Sequence, residues 1–188
     1  MRFKHAIIGV LMIVLFGVTS VMAGGPRQRG MMMHDVRSEY DFLVEMIPHH
    51  QEAVDTSLAA AARTERAEFR EFASGIATAQ AAEIAMMESW LAEWYPRRSG
   101  EGNYRPMMRP VEGLSPDRAD RAFLEDMIMH HRMAIMMAQS LLSRGATERP
   151  EMIAFARQVI EDQNAEIEQM EIWLAEWYGV TSRGHMRH

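Results

Sequence analysis

The stretch Phe42-Leu43-Val44-Glu45-Met46-Ile47-Pro48-His49-His50 returns 81 residues later as Phe123-Leu124-Glu125-Asp126-Met127-Ile128-Met129-His130-His131. A second block, Trp90-Leu91-Ala92-Glu93-Trp94-Tyr95, recurs letter for letter as Trp173-Leu174-Ala175-Glu176-Trp177-Tyr178, offset by 83. Self-similarity of this length marks a duplicated structural unit, with two extra residues between the blocks of the second copy. Phe42, Met46, His49 and Ala53 fall on one helix face at i, i+4, i+7 and i+11, as do Phe123, Met127, His130 and Ala134. Strand-type alternation is nowhere visible. The fold class expected is therefore all-α, a ferritin-like four-helix bundle made of two tandem helical hairpins.

The boundaries follow from helix stops and starts. Gly145 closes one helix, Thr147 and Pro150 open the next, and Ser115-Pro116-Asp117 reads as an N-cap followed by a proline at the first helical position. The expected helices lie near 36–63, 66–95, 116–144 and 148–178. Hairpin one is 36–95 and hairpin two 116–178. Residues 96–115, with Pro96, Pro106, Pro110 and three glycines, form a linker long enough to cross the bundle.

The N-terminus reads as a signal peptide, residues 1–23. Arg2 and Lys4 precede an apolar run over 6–18, and Val21-Met22-Ala23 supplies the small residues of a cleavage site that would leave Gly24 first. The alternative is an uncleaved anchor, but the run is well short of the roughly 20 residues a spanning helix needs. Nothing after residue 23 could span a membrane, so stable insertion after cleavage is not expected. Export implies a periplasmic or secreted protein. Loss of Arg2 and Lys4 moves the formal charge from -6 to -8. With no basic cluster remaining, nucleic acid is not an expected partner. Cysteine is absent, so an oxidising compartment adds no disulfide and stability must come from the apolar core.

The second helix of each hairpin carries a stripe that is apolar except in its middle: Ile76, Gln80, Glu83, Met87, Trp90 and Trp94, matched by Val159, Gln163, Glu166, Met170, Trp173 and Trp177. Antiparallel pairing about a turn near 64–65 sets His49 level with Gln80 and Met46 level with Glu83. A turn near 146–147 sets His130 level with Gln163 and Met127 level with Glu166. Isolated buried polar groups cost roughly 1 to 3 kcal/mol each, so such a layer must be internally bonded or bind something. One explanation is a hydrogen-bonded network that fixes helix register. The other is a metal site, which the doubled His-His pair favours, because adjacent helical residues point about 100° apart and both rings face inward only when deeply buried or beside a cavity.

These residues resemble the domain of unknown function 305 family in its two-copy form. The likeness covers about residues 36–178. It rests on a Met-Ile-x-His-His block (Met46 to His50, Met127 to His131) and a Gln-x-x-Glu-Ile-x-x-Met-x-x-Trp-Leu block (Gln80 to Leu91, Gln163 to Leu174). The resemblance implies a ferritin-like bundle, and some members are implicated in periplasmic copper binding. The first copy keeps the family's Met-Ile-Pro-His-His-Gln form, whereas the second has Met129 for the proline and Arg132 for the glutamine, so the second site is expected to differ in shape. Pro48 removes the bond to the Val44 carbonyl and either kinks its helix or starts a new segment, freeing that carbonyl beside His49.

Metal preference follows from ligand softness. The chain holds 19 Met, 8 His and no Cys, and thioether with imidazole favours copper, Cu(I) especially, over other transition metals. A di-iron centre wants several inward glutamates and Glu-x-x-His spacing, which these hairpins lack. Zinc has no use for the thioethers. Met133, Met136 and Met137 read as core, and the four tryptophans as packing at the bundle ends. Runs such as Glu65-Arg66-Ala67-Glu68 read as solvated helix faces. Met31-Met32-Met33-His34 in the tail 24–35, His185-Met186 and His188 in the tail 179–188, and Met107-Met108 are clusters that could capture copper or serve no role. No nucleophile elbow, phosphate loop or zincin motif is present, which weighs against an enzyme. The function expected is that of an exported metal-binding protein that sequesters or chaperones copper through His49, His50, His130 and His131. Met46, Met127, Glu83 and Glu166 act as second-rank ligands or orienting partners. The alternatives are a metal-dependent oxidase of ferritin-like type and a metal-free structural or partner-binding bundle. The metal ion is the expected partner, and self-association into a homo-oligomer stays open.

Overall fold

The computed structural model describes residues 36–100 and 102–180. The expected signal peptide 1–23, the Met- and His-containing tail 24–35 and residues 181–188 of the C-terminal tail lie outside these. The described residues form four helices and no strand: α1 (Glu39–Arg63), α2 (Ala67–Trp94), α3 (Pro116–Ser143) and α4 (Pro150–Tyr178). None of them is long and apolar enough to cross a membrane.

Local chemistry sets the helix ends. α1 begins at Glu39, three residues later than the sequence pattern suggests, because Ser38 is the N-cap and its hydroxyl accepts the Asp41 N–H at 3.1 Å. Ser115 occupies the N-cap position of α3 without a side-chain cap bond, and Pro116 follows at the first helical position. α4 starts at Pro150, not at 148: the Thr147 hydroxyl accepts the Arg149 N–H at 3.2 Å and holds a turn there. Gly145, at φ 60°, takes the left-handed conformation that follows α3. Pro48 lies inside an uninterrupted α1, so it does not start a new segment.

α1 packs on α2, α3 packs on α4, and the hairpins meet along α1 and α3. Their relative direction is fixed by two equivalent latches. At the start of α1 the buried Glu39 carboxylate accepts hydrogen bonds from Thr147, from Arg149 (3.1 Å) and from Tyr95 (2.8 Å). At the start of α3 the buried Asp120 carboxylate accepts from Thr64 (2.8 Å) and Arg66 (2.8 Å). Glu39 and Asp120 are equivalent in the repeat, as are Thr64 with Thr147 and Arg66 with Arg149. Each hairpin's turn thus grips the beginning of the other's first helix, so α1 and α3 run antiparallel about a pseudo-twofold axis. The two arginines also lie over tryptophan rings, Arg66 on Trp177 at 4.5 Å and Arg149 on Trp94 at 4.3 Å. Arg66 is therefore a clamp and not part of a solvated face. The sequence could not show this, because its partners are 51 or more residues away.

Two apolar clusters fill the bundle. One gathers Phe42, Met46, Met87, Met133, Met137 and Phe155, and the other Phe69, Phe123, Met127, Met170 and Trp173. The expected core methionines Met133 and Met137 are buried, and Met136 is half-buried. The linker joins the end of α2 to the start of α3 by running along α1. The Asn103 N–H donates to Glu45 (2.6 Å), those of Met107 and Met108 to Glu52 (2.9 and 3.0 Å), and the Arg63 guanidinium to the Leu114 carbonyl (2.9 Å). Gly102 sits so close to α1 that a Cβ there would strike the Val44 carbonyl, the group that Pro48 leaves without its helical donor.

Candidate metal centre

Between the two apolar clusters lies the polar layer. His49, His50, His130 and His131 are fully buried, and Gln80 and Gln163 nearly so. Each histidine pair sits one turn after a buried methionine, Met46 in α1 and Met127 in α3, on the face turned to the bundle interior. The pairs divide their labour. His49 and His130, equivalent in the repeat, stack at the pseudo-twofold axis with ring centroids 3.6 Å apart, and His49 Nε2 donates to the His130 carbonyl at 3.1 Å. His50 and His131 turn instead into their own hairpins, where their Nε2 atoms lie 2.9 Å from Glu83 and 2.6 Å from Glu166.

The pairing of His50 with Glu83 differs by about one turn from the level expected from the sequence, which put Glu83 beside Met46. Side chains on a helix lean toward its N-terminus. In an antiparallel pair the two leans oppose each other, so Glu83 reaches toward the turn and His50 away from it, and they meet midway. The same displacement in hairpin two brings His131 to Glu166.

Burial is the chief cause of the shifts in ring acidity. It pushes His49 well below the usual imidazole range, helped by repulsion from His130, His50 and His131. Burial also takes His130 down to about 4, against the opposing pull of Glu52. Both rings are therefore neutral at pH 7, the form that offers a lone pair to a metal.

The layer holds more polar atoms than it satisfies. His49 Nδ1, both nitrogens of His50 and of His130, His131 Nδ1, both amide atoms of Gln80 and Gln163 Oε1 are buried without a hydrogen-bond partner. His50 Nε2 lies close to Glu83 but at an angle unsuited to a hydrogen bond. Unsatisfied groups on this scale cost about 1–3 kcal/mol each. Imidazole nitrogens bordered by buried thioethers are the donor set of a soft or borderline metal such as copper, so the residues fit that group. The four imidazoles do not converge on one point, however. Among the described residues no group of three or more His, Cys, Asp or Glu side chains is placed to hold a metal ion.

Two residues at the layer escaped the sequence reading. Glu52, mostly buried, approaches His130 Nε2 at 3.5 Å and accepts hydrogen bonds from Tyr104 and the linker amides. The Tyr104 ring stands edge-on to His49 at 5.4 Å. Burial would raise the Glu52 pKa, but His130, Tyr104 and the Met107 and Met108 amides together hold it down to about 2. The available signal was a break in the repeat: Glu52 has Met133 as its counterpart.

Comparison with known proteins finds relatives of the same fold. The family model described as domain of unknown function (DUF305) matches residues 39–174 and again 120–188. No curated protein matches the chain. Among solved structures, CopM in its Cu(I)-bound form is 35% identical, with 76% of this chain and 99% of that chain covered and a TM-score of 0.68. CopM also matches in its Cu(II)-bound and Ag-bound forms. A DUF305 protein from Streptomyces coelicolor, described as secreted, is 31% identical over 80% of this chain and 97% of its own, with a TM-score of 0.67. A DUF305 fragment from Deinococcus radiodurans is 30% identical over 73% and 95%, with a TM-score of 0.64.

Proposed function

The chain belongs to the domain of unknown function 305 family, and from that premise we propose that it is an exported copper-binding protein that sequesters or hands on copper in the periplasm. His49, His50, His130 and His131 are the ligands proposed, with Met46, Met127, Glu83 and Glu166 as secondary ligands or orienting partners. The observation that carries the reading is the set of buried ring nitrogens without hydrogen-bond partners in a layer flanked by buried methionines. The 35% identity to CopM, whose structures hold Cu(I), Cu(II) and silver, supports the choice of metal. Carboxylates beside His50 and His131 would orient those rings, as outer partners do around bound metals.

A metal-free layer that fixes helix register is the second reading, favoured by the 2.6 Å bond between His131 and Glu166 and the bond from His49 to the His130 carbonyl. Titration with Cu(I), Cu(II), Ag(I) and Zn(II) under chelator competition separates the two. Wild type is compared with His49→Ala/His50→Ala, with His130→Ala/His131→Ala and with a chain lacking both tails. Copper binding lost in the histidine variants and kept in the tail deletion is the expected outcome. Binding lost only with the tails would refute the core site, and no binding by wild type would select the metal-free layer.

A further inference from the structure

We infer that Glu52 belongs to the metal centre, as a carboxylate from hairpin one that is fixed by the linker and acts together with His130 of hairpin two. The inference rests on the copper reading above and adds to it a residue that breaks the internal symmetry. Glu52 lies on α1 one turn beyond His49, and its side chain is only 11% exposed. Tyr104 and the Met107 and Met108 amides donate to its two oxygens, so the carboxylate cannot swing away. Its Oε2 stands 3.5 Å from His130 Nε2, and that nitrogen is fully buried with no hydrogen-bond partner. The separation is long for a hydrogen bond. Two donors each about 2.0 Å from one ion stand roughly 2.8 Å apart at the 90° angle of a tetragonal Cu(II) site and roughly 3.3 Å apart at a tetrahedral one, so a bound ion would draw Glu52 and His130 together by less than about 1 Å.

Among the described residues the second hairpin has nothing equivalent. Met133 occupies the matching position in α3 and is buried in an apolar cluster. The linker that holds Glu52 runs along α1, and Tyr104 borders His49 on that side. A carboxylate is a hard donor and Cu(I) a soft ion, so Glu52 favours the oxidised metal, while the imidazoles and thioethers serve the reduced one. The alternative is that Glu52 only staples the linker to α1.

The test measures Cu(II) and Cu(I) affinities by chelator competition, and the Cu(II) paramagnetic resonance spectrum, for full-length wild type, Glu52→Gln and Glu52→Asp. Metal-free melting temperatures report folding. Glu52→Asp keeps the charge but withdraws the carboxylate, so it remains informative if Glu52→Gln fails to fold. Both variants are expected to lose between about ten- and a hundredfold in Cu(II) affinity, with an altered spectrum and Cu(I) affinity within about twofold of wild type. Unchanged Cu(II) affinity and spectrum, or equal losses for both oxidation states in step with a fallen melting temperature, would reduce Glu52 to a linker anchor and overturn the inference while leaving the copper reading in place. Wild type that binds no copper would remove both.

Discussion

The two latches that set the hairpins antiparallel are equivalent in the repeat, yet their carboxylates are shifted in opposite directions, and that gives a sharp prediction. Glu39 accepts hydrogen bonds from Thr147, Tyr95 and Arg149, which outweigh the effect of burial and lower its pKa from 4.5. Asp120, with Thr64 and Arg66 as donors, is raised from 3.8 because burial wins. Replacing Glu39 by Gln keeps the shape but removes the charge that Arg149 faces. A charge-assisted bond of this kind is worth about 2 kcal/mol. With a urea slope of roughly 2 kcal/mol per molar for a domain of this size, the unfolding midpoint should fall by about 1 M at pH 7. A depressed folded pKa stabilises above the unfolded value, and that contribution is lost as pH falls through the folded value. The gap between wild type and Glu39→Gln should therefore close on acidification below 4.5. For Asp120 the sign reverses: a raised folded pKa makes ionisation costly to the folded state, so Asp120→Asn is least harmful at pH 7 and grows more so as the pH drops. Urea unfolding followed by far-ultraviolet circular dichroism at pH 7 and near pH 3.5 reads both gaps. If the two move in the same direction, the opposite environments assigned to these carboxylates are wrong.

Three further outcomes are expected. Gly102→Ala would drive a methyl into the Val44 carbonyl, so the linker must shift, at a cost of about 1–3 kcal/mol visible in the melting temperature. Met127→Ala removes a fully buried side chain and should cost about 2–5 kcal/mol, whereas Met129→Ala, two residues on and 44% exposed, should change stability by less than about 0.5 kcal/mol; equal losses in urea unfolding would contradict the assigned faces of α3. Tyr104→Phe deletes one donor to Glu52 and should cost about 1 kcal/mol without altering helix content, checked by circular dichroism and a melting curve.

Much of this molecule is legible in one dimension. The doubled His-His block and the doubled Trp-Leu-Ala-Glu-Trp-Tyr block announce two equivalent hairpins, and Ser115-Pro116 and Gly145 mark where their helices begin and end. The polar layer is also visible, because Gln80, Glu83 and their counterparts interrupt stripes that are otherwise apolar. What the letters do not carry is the angle at which the hairpins meet. Whether four imidazoles gather or divide depends on where α1 crosses α3, and the structure stacks His49 on His130 while sending His50 and His131 to separate glutamates. Glu52 was hidden for a related reason. Its meaning comes from linker atoms more than 50 residues away, whose path no helical period encodes. Arg66 looked like one more surface charge until the start of α3 was brought beside it.

The reciprocal latches have a consequence for how such a chain assembles. A polypeptide carrying a single hairpin would present a carboxylate at its first helix and a Thr and Arg at its turn, complementary ends that only an identical molecule turned through 180° could satisfy. The linker converts that bimolecular encounter into an intramolecular one. The two halves then meet at an effective concentration in the millimolar range, whatever the dilution outside. Tethering also releases each half from the need to match the other, so one can trade a methionine for a carboxylate while its sibling keeps the sulfur.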